Sequence, residues 1–195
     1  MALLRTASPA DLGPVIQTER VLLRTPQMAD YPAWAELRAE SREFLTLWEP
    51  LWASDELSRA SFRRRIRHYL RDLREDMGYA LFIFAAPTDT LVGGLTLCNV
   101  RRGVTQACTL GYWIGARYAR QGYMTAAVGA VIPFVFDSLE LHRLEAACLL
   151  ANMASVRLLE KTGFAREGMA RRYLRINGVW QDHLLYGLLD TDLRR

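Results

Sequence analysis

The 195-residue sequence predicts a mixed α/β fold, with a largely antiparallel central sheet, flanking helices and one helical crossover in the middle. Three observations carry this expectation. Segments follow one another as strand, two helices, three strands, helix, strand, helix, two strands. Turn-forming residues separate the consecutive strands. At Gly122 the apolar pattern changes from strand-like to helix-like.

Glu19 to Thr25 reads as a strand, because Val21 and Leu23 alternate with Leu22 and Arg24. Asp30 to Glu40 reads as a short helix that tolerates Pro32 in its first turn. A tryptophan-rich segment follows, with Phe44, Trp48, Glu49, Pro50 and Trp52. Ser54 or Asp55 is the expected cap of the next helix, and Gly78 its expected terminator. Tyr79–Ala86, Leu91–Val100 and Thr105–Ile114 read as an antiparallel meander with turns at Pro87-Thr88-Asp89 and Arg102-Gly103. A helix from Gly122 to about Ser138 is bent by Pro133. Leu141–Leu150 is a strand, and Asn152 opens a short helix that ends at Thr162-Gly163. Two last strands meet at Asn177-Gly178, a strong two-residue hairpin signal. With no repeat or linker, a single domain spans 1–195, its first 14 residues expected to be loosely ordered.

Composition narrows the class. The chain is 51% hydrophobic and 24% charged, as a globular domain is, and no apolar run nears the roughly 20 residues that cross a bilayer. Met1 to Pro14 carries Arg5 but no sustained apolar core, so no secretory signal is expected and the cytoplasm is the expected compartment. Cys98, Cys108 and Cys148 are odd in number and widely spaced within apolar runs. That spacing suits small buried hydrophobes better than a disulfide or zinc framework. His68, His142 and His183 show no metal spacing, and chemistry without a metal is expected.

The net charge is +4, with Lys161 the only lysine. Between Arg59 and Arg74, five further arginines surround Phe62, Ile66, Tyr69, Leu70 and Leu73 at helical spacing. This describes an amphipathic helix whose arginine face is either simply solvated or a contact surface for RNA, a ribosomal particle or an acidic partner.

Two segments carry chemistry. Ile114-Gly115-Ala116-Arg117-Tyr118-Ala119-Arg120-Gln121-Gly122-Tyr123-Met124-Thr125 joins a strand to a helix. The free N–H groups and dipole of a helix N-terminus bind phosphate. Gly122 admits close backbone approach, Thr125 offers a hydroxyl, and Arg117 or Arg120 offers charge; an ordinary strand–loop–helix turn is the bland alternative. The second segment runs from Asn152 to Phe164. There Asn152 caps a helix, Val156 and Leu159 face inward, and Ser155 lies one turn in.

In this order and separation the two segments resemble the GNAT family of acetyltransferases, from the Glu19 strand to the last strand. The first is similar to that family's pyrophosphate loop, Gln/Arg-x-x-Gly-x-Gly/Ala, and the second to its Asn-…-Leu-Tyr-x-Lys-x-Gly-Phe motif. Trp48-Glu49-Pro50, Gln121–Thr125, Ala154-Ser155 and Ile176-Asn177-Gly178-Val179-Trp180 resemble the Rim-type branch, which acetylates the N-termini of ribosomal proteins. The resemblance implies acetyl-CoA as co-substrate, held by Trp113, Ile114, Gly115, Arg120, Gln121, Gly122, Tyr123, Met124 and Thr125, with Asn152 and Ser155 beside it. It also implies that the strand Leu110–Ile114 splays from its neighbour and pairs with the pantetheine arm.

Three positions depart from the family pattern. Ala119 replaces Gln or Arg and Met124 replaces a small residue; a cradle of main-chain donors survives both. Leu159 stands where many members have the tyrosine that protonates the leaving thiolate, and the Rim likeness moves that role to Ser155. An N-terminal α-amine has a pKa of about 8, against about 10.4 for lysine, so a modest base suffices. Glu49 and Glu145 are the candidates. Glu145 is flanked by Leu144 and Ala146, where burial would raise its pKa, or it faces solvent and pairs with Arg143. Glu49 alternatively recognises the cationic amine.

The leading reading is acetyl transfer to a protein N-terminus, that of a ribosomal protein in the Rim pattern. A small-molecule amine is the alternative acceptor, although a basic surface repels a polycation. A ribosome- or RNA-associated assembly factor is the alternative of another class.

Overall fold

A computed structural model describes residues 3–5 and 13–194 of the chain. Of the N-terminal stretch expected to be loosely ordered, Leu3–Arg5 form a strand, and residues 1–2 and 6–12 lie outside the described residues. The strands are β1 (Leu3–Arg5), β2 (Val15–Gln17), β3 (Val21–Arg24), β4 (Tyr79–Ala85), β5 (Thr90–Arg101), β6 (Ala107–Ile114), β7 (Arg143–Leu149), β8 (Ala165–Ile176) and β9 (Val179–Leu189). The helices are α1 (Tyr31–Glu40), α2 (Arg42–Leu45), α3 (Arg59–Arg74), α4 (Tyr123–Pro133) and α5 (Met153–Lys161). The described strands form one nine-stranded sheet in the order β1-β2-β3-β4-β5-β6-β7-β9-β8. Neighbours are antiparallel except β6 and β7, which are parallel and joined through α4. This is the expected α/β class, with β1, β2 and α2 as additions.

Helices cover both sides of the sheet. Leu81 and Ile83 of β4 pack into the core beneath α4 and α5, whereas Phe82 and Phe84 join Trp34, Leu37, Phe62 and Ile66 beneath α1 and α3. A strand buried on both faces is why Tyr79–Ala85 reads as an almost unbroken apolar run. The hairpin turn is as expected: Asn177 (φ 44°) and Gly178 (φ 82°) are both left-handed, as a tight turn with strand-like twist requires. Beyond Pro133, α4 loosens into a wider turn over Phe134–Ser138. β8 forms one border of the sheet, and most of its residues are exposed.

Both expected limits of the arginine helix move. Ser58 is the cap, its hydroxyl accepting the Ser61 N–H at 3.1 Å, while Asp55 is drawn into an ion pair with Arg64. The helix stops at Arg74, four residues before Gly78, and Asp76 (φ 53°) takes the left-handed position after it. Asp76 holds that conformation while accepting from Tyr79 and Arg102.

Candidate active site

The β6–β7 pairing covers four residue pairs and ends at Leu110↔Ala146, although both strands continue. Beyond that point β6 pairs with β5, and β7 with β9, so a wedge opens between them. Gly115 donates to the Val92 carbonyl at 2.9 Å, which fixes the alternation along β6. The N–H and C=O groups of Tyr112 and Ile114 therefore turn away from β5 into the wedge. The splay expected of Leu110–Ile114 is present, and Tyr112 joins Ile114 as a backbone contributor. Trp113 contributes differently from the expectation: its ring packs edge-on to Phe82 beneath Arg38, on the α1–α3 face. Gly115 is a packing requirement, since a Cβ there would lie 2.4 Å from Leu37.

At the mouth of the wedge stands the loop before α4. Arg120 (φ 61°) and Gly122 (φ 83°) are left-handed, and Gly122 takes the N-cap position of α4. The first-turn N–H groups of Tyr123, Met124 and Thr125 lack intrahelical acceptors, the arrangement that can accept a phosphate. Gln121 is exposed, and its side chain turns back to the Arg117 carbonyl at 2.6 Å, which stiffens the loop. Arg117 pairs with Glu40 at 3.1 Å, so the loop's available charge is the exposed Arg120. A residue that sequence reasoning missed braces this loop: Arg20 donates to the Gln121 carbonyl and lies over the Tyr123 ring at 5.2 Å. The pair is separated by 101 residues, and no local signal marks it.

On the α5 side of the wedge, Asn152 caps the helix by accepting the Ser155 N–H at 3.1 Å. Ser155 is buried, and the ring that carries the Tyr112 phenol packs against the same core. Burial pushes that phenol well above its ordinary pKa. Cys148 lies near Tyr112, its thiol pushed up to about 11, chiefly by burial. Leu159 is fully buried in the core and offers the wedge nothing polar.

Both candidate glutamates are engaged in ion pairs. Glu49 accepts from both Arg38 terminal nitrogens, at 3.0 and 2.6 Å, and from the Trp52 indole at 2.8 Å. Arg38 is buried between Trp52 and Trp113, its guanidinium 4.5 and 5.1 Å from their rings. A carboxylate whose two oxygens already accept three donors has little acceptor capacity left for an incoming ammonium. Glu145 is half-exposed rather than buried, and accepts from Arg143 at 3.0 Å and from Arg101. It pairs with Thr109 within the closed part of the sheet.

A cleft of about 530 Å³ opens beside these elements, lined by Leu47 and Trp48, by Leu149–Ala151 at the end of β7, and by Arg172, Trp180, Gln181 and Asp182 of the β8–β9 hairpin. Left-handed Arg172 (φ 47°) sits in a bulge of β8, and its N–H donates to Asp182 Oδ1 at 2.8 Å. Among the described residues no cationic side chain pairs with Asp182. His183 is buried, with Nδ1 2.9 Å from the Gln181 carbonyl.

The arginine helix divides into two sets. Arg64, Arg65 and Arg71 pair with Asp55, Glu56 and Asp72, whereas Arg63, Arg67 and Arg74 are exposed along one face with no acidic partner among the described residues. No group of three or more His, Cys, Asp or Glu side chains that could hold a metal occurs among the described residues. No described helix is long and apolar enough to cross a membrane.

Comparison with known proteins fits this geometry. A family model described as acetyltransferase (GNAT) domain matches residues 20–165. The chain is 34% identical over 178 residues to a probable N-acetyltransferase, YjcK, of Bacillus subtilis (strain 168), covering 91% of this chain and 98% of that protein. It is 31% identical over 179 residues to the [ribosomal protein uS5]-alanine N-acetyltransferase of Escherichia coli (strain K12), covering 91% of each. Its fold superimposes on Mycobacterium smegmatis RimJ in complex with CoA-disulfide with a TM-score of 0.85, at 27% identity, over 100% of this chain and 88% of that one.

Proposed function

The chain belongs to the GNAT acetyltransferase family and transfers acetyl from acetyl-CoA, and on that premise we propose that its acceptor is the α-amine at the N-terminus of a protein, a ribosomal protein in particular, in the cytoplasm. One observation carries this reading: β7 borders both sites. Its edge opens the wedge, and its end floors the cleft that carries Asp182. The α4 N-terminus, with Arg120 nearby, holds the pyrophosphate. The main-chain groups of Tyr112 and Ile114 align the pantetheine arm.

Asp182 anchors the acceptor ammonium, while Trp48 and Trp180 flank the first residues of an extended chain end. The amine loses its proton readily to water or buffer, since its pKa is about 8, and neither Glu49 nor Glu145 needs to act as base. Attack on the thioester expels the CoA thiolate, and Ser155 protonates it. The ribosomal acceptor is favoured by the E. coli relative that modifies ribosomal protein uS5 and by the unpaired stripe Arg63, Arg67 and Arg74, which suits a polyanionic particle.

The test is incubation with acetyl-CoA and a panel of N-terminal peptides, read by mass spectrometry, with spermidine and other small amines as parallel acceptors. Acetylation confined to peptide α-amines is the expected result. Turnover of small amines alone would overturn the acceptor assignment and leave the enzyme class untouched.

A further inference from the structure

The cleft beside β7 carries residues of opposite charge, and the proposed function uses only the acidic one. Ala170 pairs with His183 and Leu174 with Gln181, so three residues of β8, Arg171 to Tyr173, face the single residue Asp182 of β9. A bulge of this kind bends its strand and re-aims a side chain. The Arg172 N–H holds it by donating to Asp182 Oδ1 at 2.8 Å, and the Tyr173 ring beside it packs edge-on to His183 at 5.9 Å. Arg172 is the one cationic residue lining the cleft, and Asp182 the one acidic residue. Arg172 is exposed, and among the described residues no carboxylate pairs with its guanidinium, that of Asp182 included. Its neighbours on the strand are placed otherwise. Arg175 turns its Nε to the Gly178 carbonyl at 2.9 Å, and neither it nor Arg171 lines the cleft.

A cation this close to an ammonium anchor weakens a site built for an ammonium alone, through like-charge repulsion. It suits an acceptor that carries a carboxylate a short way behind its amine. We propose that Arg172 selects the acceptor by reading an acidic side chain, aspartate or glutamate, at its second or third residue. This rests on the reading of the cleft as the site of a protein N-terminus, with Asp182 as the ammonium anchor. The Arg172 side chain springs from the same residue whose N–H binds Asp182, so the two charges are met by groups close together on one chain end. An extended chain advances about 3.3–3.6 Å per residue, and an arginine side chain spans about two such steps. The planar guanidinium donates two parallel N–H···O bonds to a carboxylate, which fixes direction as well as charge.

The test uses the intact protein, acetyl-CoA and amidated hexapeptides that begin with alanine or serine. They carry Glu, Gln or Lys at the second or third position and no other charged side chain. The wild type is expected to show a kcat/KM about threefold to tenfold higher for Glu than for Gln, the range of a partly exposed ion pair with good geometry. The Lys peptides should fall below the Gln peptides. In Arg172→Gln the Glu-to-Gln ratio should collapse to about one, and in Arg172→Glu the order should reverse in favour of Lys. A packing defect would lower all three rates together and could not invert their order. Added salt should shrink the wild-type ratio, because the pair is reached by solvent.

Equal rates for the Glu, Gln and Lys peptides in the wild type would overturn this inference alone, as would a Glu preference that persists in Arg172→Gln. Turnover of small amines with no peptide acetylated would instead remove the underlying acceptor reading. Free alanine, aspartate and glutamate run in parallel, since a free amino acid also joins an amine to a carboxylate. Their acetylation above that of the peptides, lost in Arg172→Gln, would overturn the assignment to a peptide side chain. Should Arg172→Glu not fold, Arg172→Gln with Arg172→Lys gives the decision: loss of the Glu preference in the first and its partial return in the second support the assignment, and any other pattern rejects it.

Discussion

The backbone N–H of Asn177, in the β8–β9 turn, donates to the carbonyl oxygen of Glu49 at 2.9 Å. The bond ties the hairpin wall of the cleft to its tryptophan-rich wall. Because Glu49 is itself held by Arg38 and Trp52, both walls are registered to one buried ion pair. Loosening that pair should therefore disturb acceptor binding as well as stability.

Arg38→Met is expected to destabilise the protein by about 3–5 kcal/mol, because it leaves a part-buried carboxylate without its cation. For a chain of this size that corresponds to a drop in Tm of roughly 10 °C, measured by calorimetry. The peptide KM should rise while the acetyl-CoA dissociation constant holds.

Gly122→Val places a β-branched side chain at φ 83° in the loop before α4. The left-handed conformation costs about 1–2 kcal/mol in a non-glycine residue, so the loop should relax away from it. Isothermal titration is expected to show acetyl-CoA affinity falling about tenfold or more, with the peptide site intact.

Asp182→Asn preserves the acceptor for the Arg172 N–H and removes the negative charge from the cleft wall. The KM for N-terminal peptides should increase roughly tenfold to hundredfold, the range of about 1.4–3 kcal/mol for a charge-assisted contact. Unchanged KM would return the ammonium site to another group.

The acid side of the stability profile should depend on Glu167. Its hydrogen bond with Arg143 holds its carboxyl below the usual 4.5, so the folded form binds its proton less readily than the unfolded form. Its contribution is complete above 4.5 and is lost as pH falls through the lower folded value. Glu167→Gln should flatten that part of a urea-midpoint profile, by less than about 1 kcal/mol because the pair is largely exposed.

Much of the fold was legible because local chemistry decided it. Asn177-Gly178 permits the tight turn, Asn152 caps α5 whatever surrounds it, and Gly122 marks the start of α4. Where several residues could serve equally, tertiary position decided. Ser54, Asp55 and Ser58 are all competent caps, and Arg64 engages Asp55. Of the candidate site, the loop before α4 and Ser155 were visible as motifs. Arg20 and Asp182 were not, since their partners are brought near only by the folded chain. The Arg38 cation likewise changes the meaning of Glu49, which the sequence shows merely as an acid among tryptophans.

The border strand β8 has no strand on its outer side among the described residues, and it carries exposed Met169, Tyr173 and Leu174. Such a rim is a template on which a second copy could add its own β8. Arg166, Arg171, Arg172 and Arg175 are exposed along that same strand. Two such rims brought together would set guanidinium against guanidinium, and this mutual repulsion guards against sheet-to-sheet aggregation. Replacing these arginines with neutral residues would leave the chemistry of the wedge intact and expose the protein to self-association at high concentration.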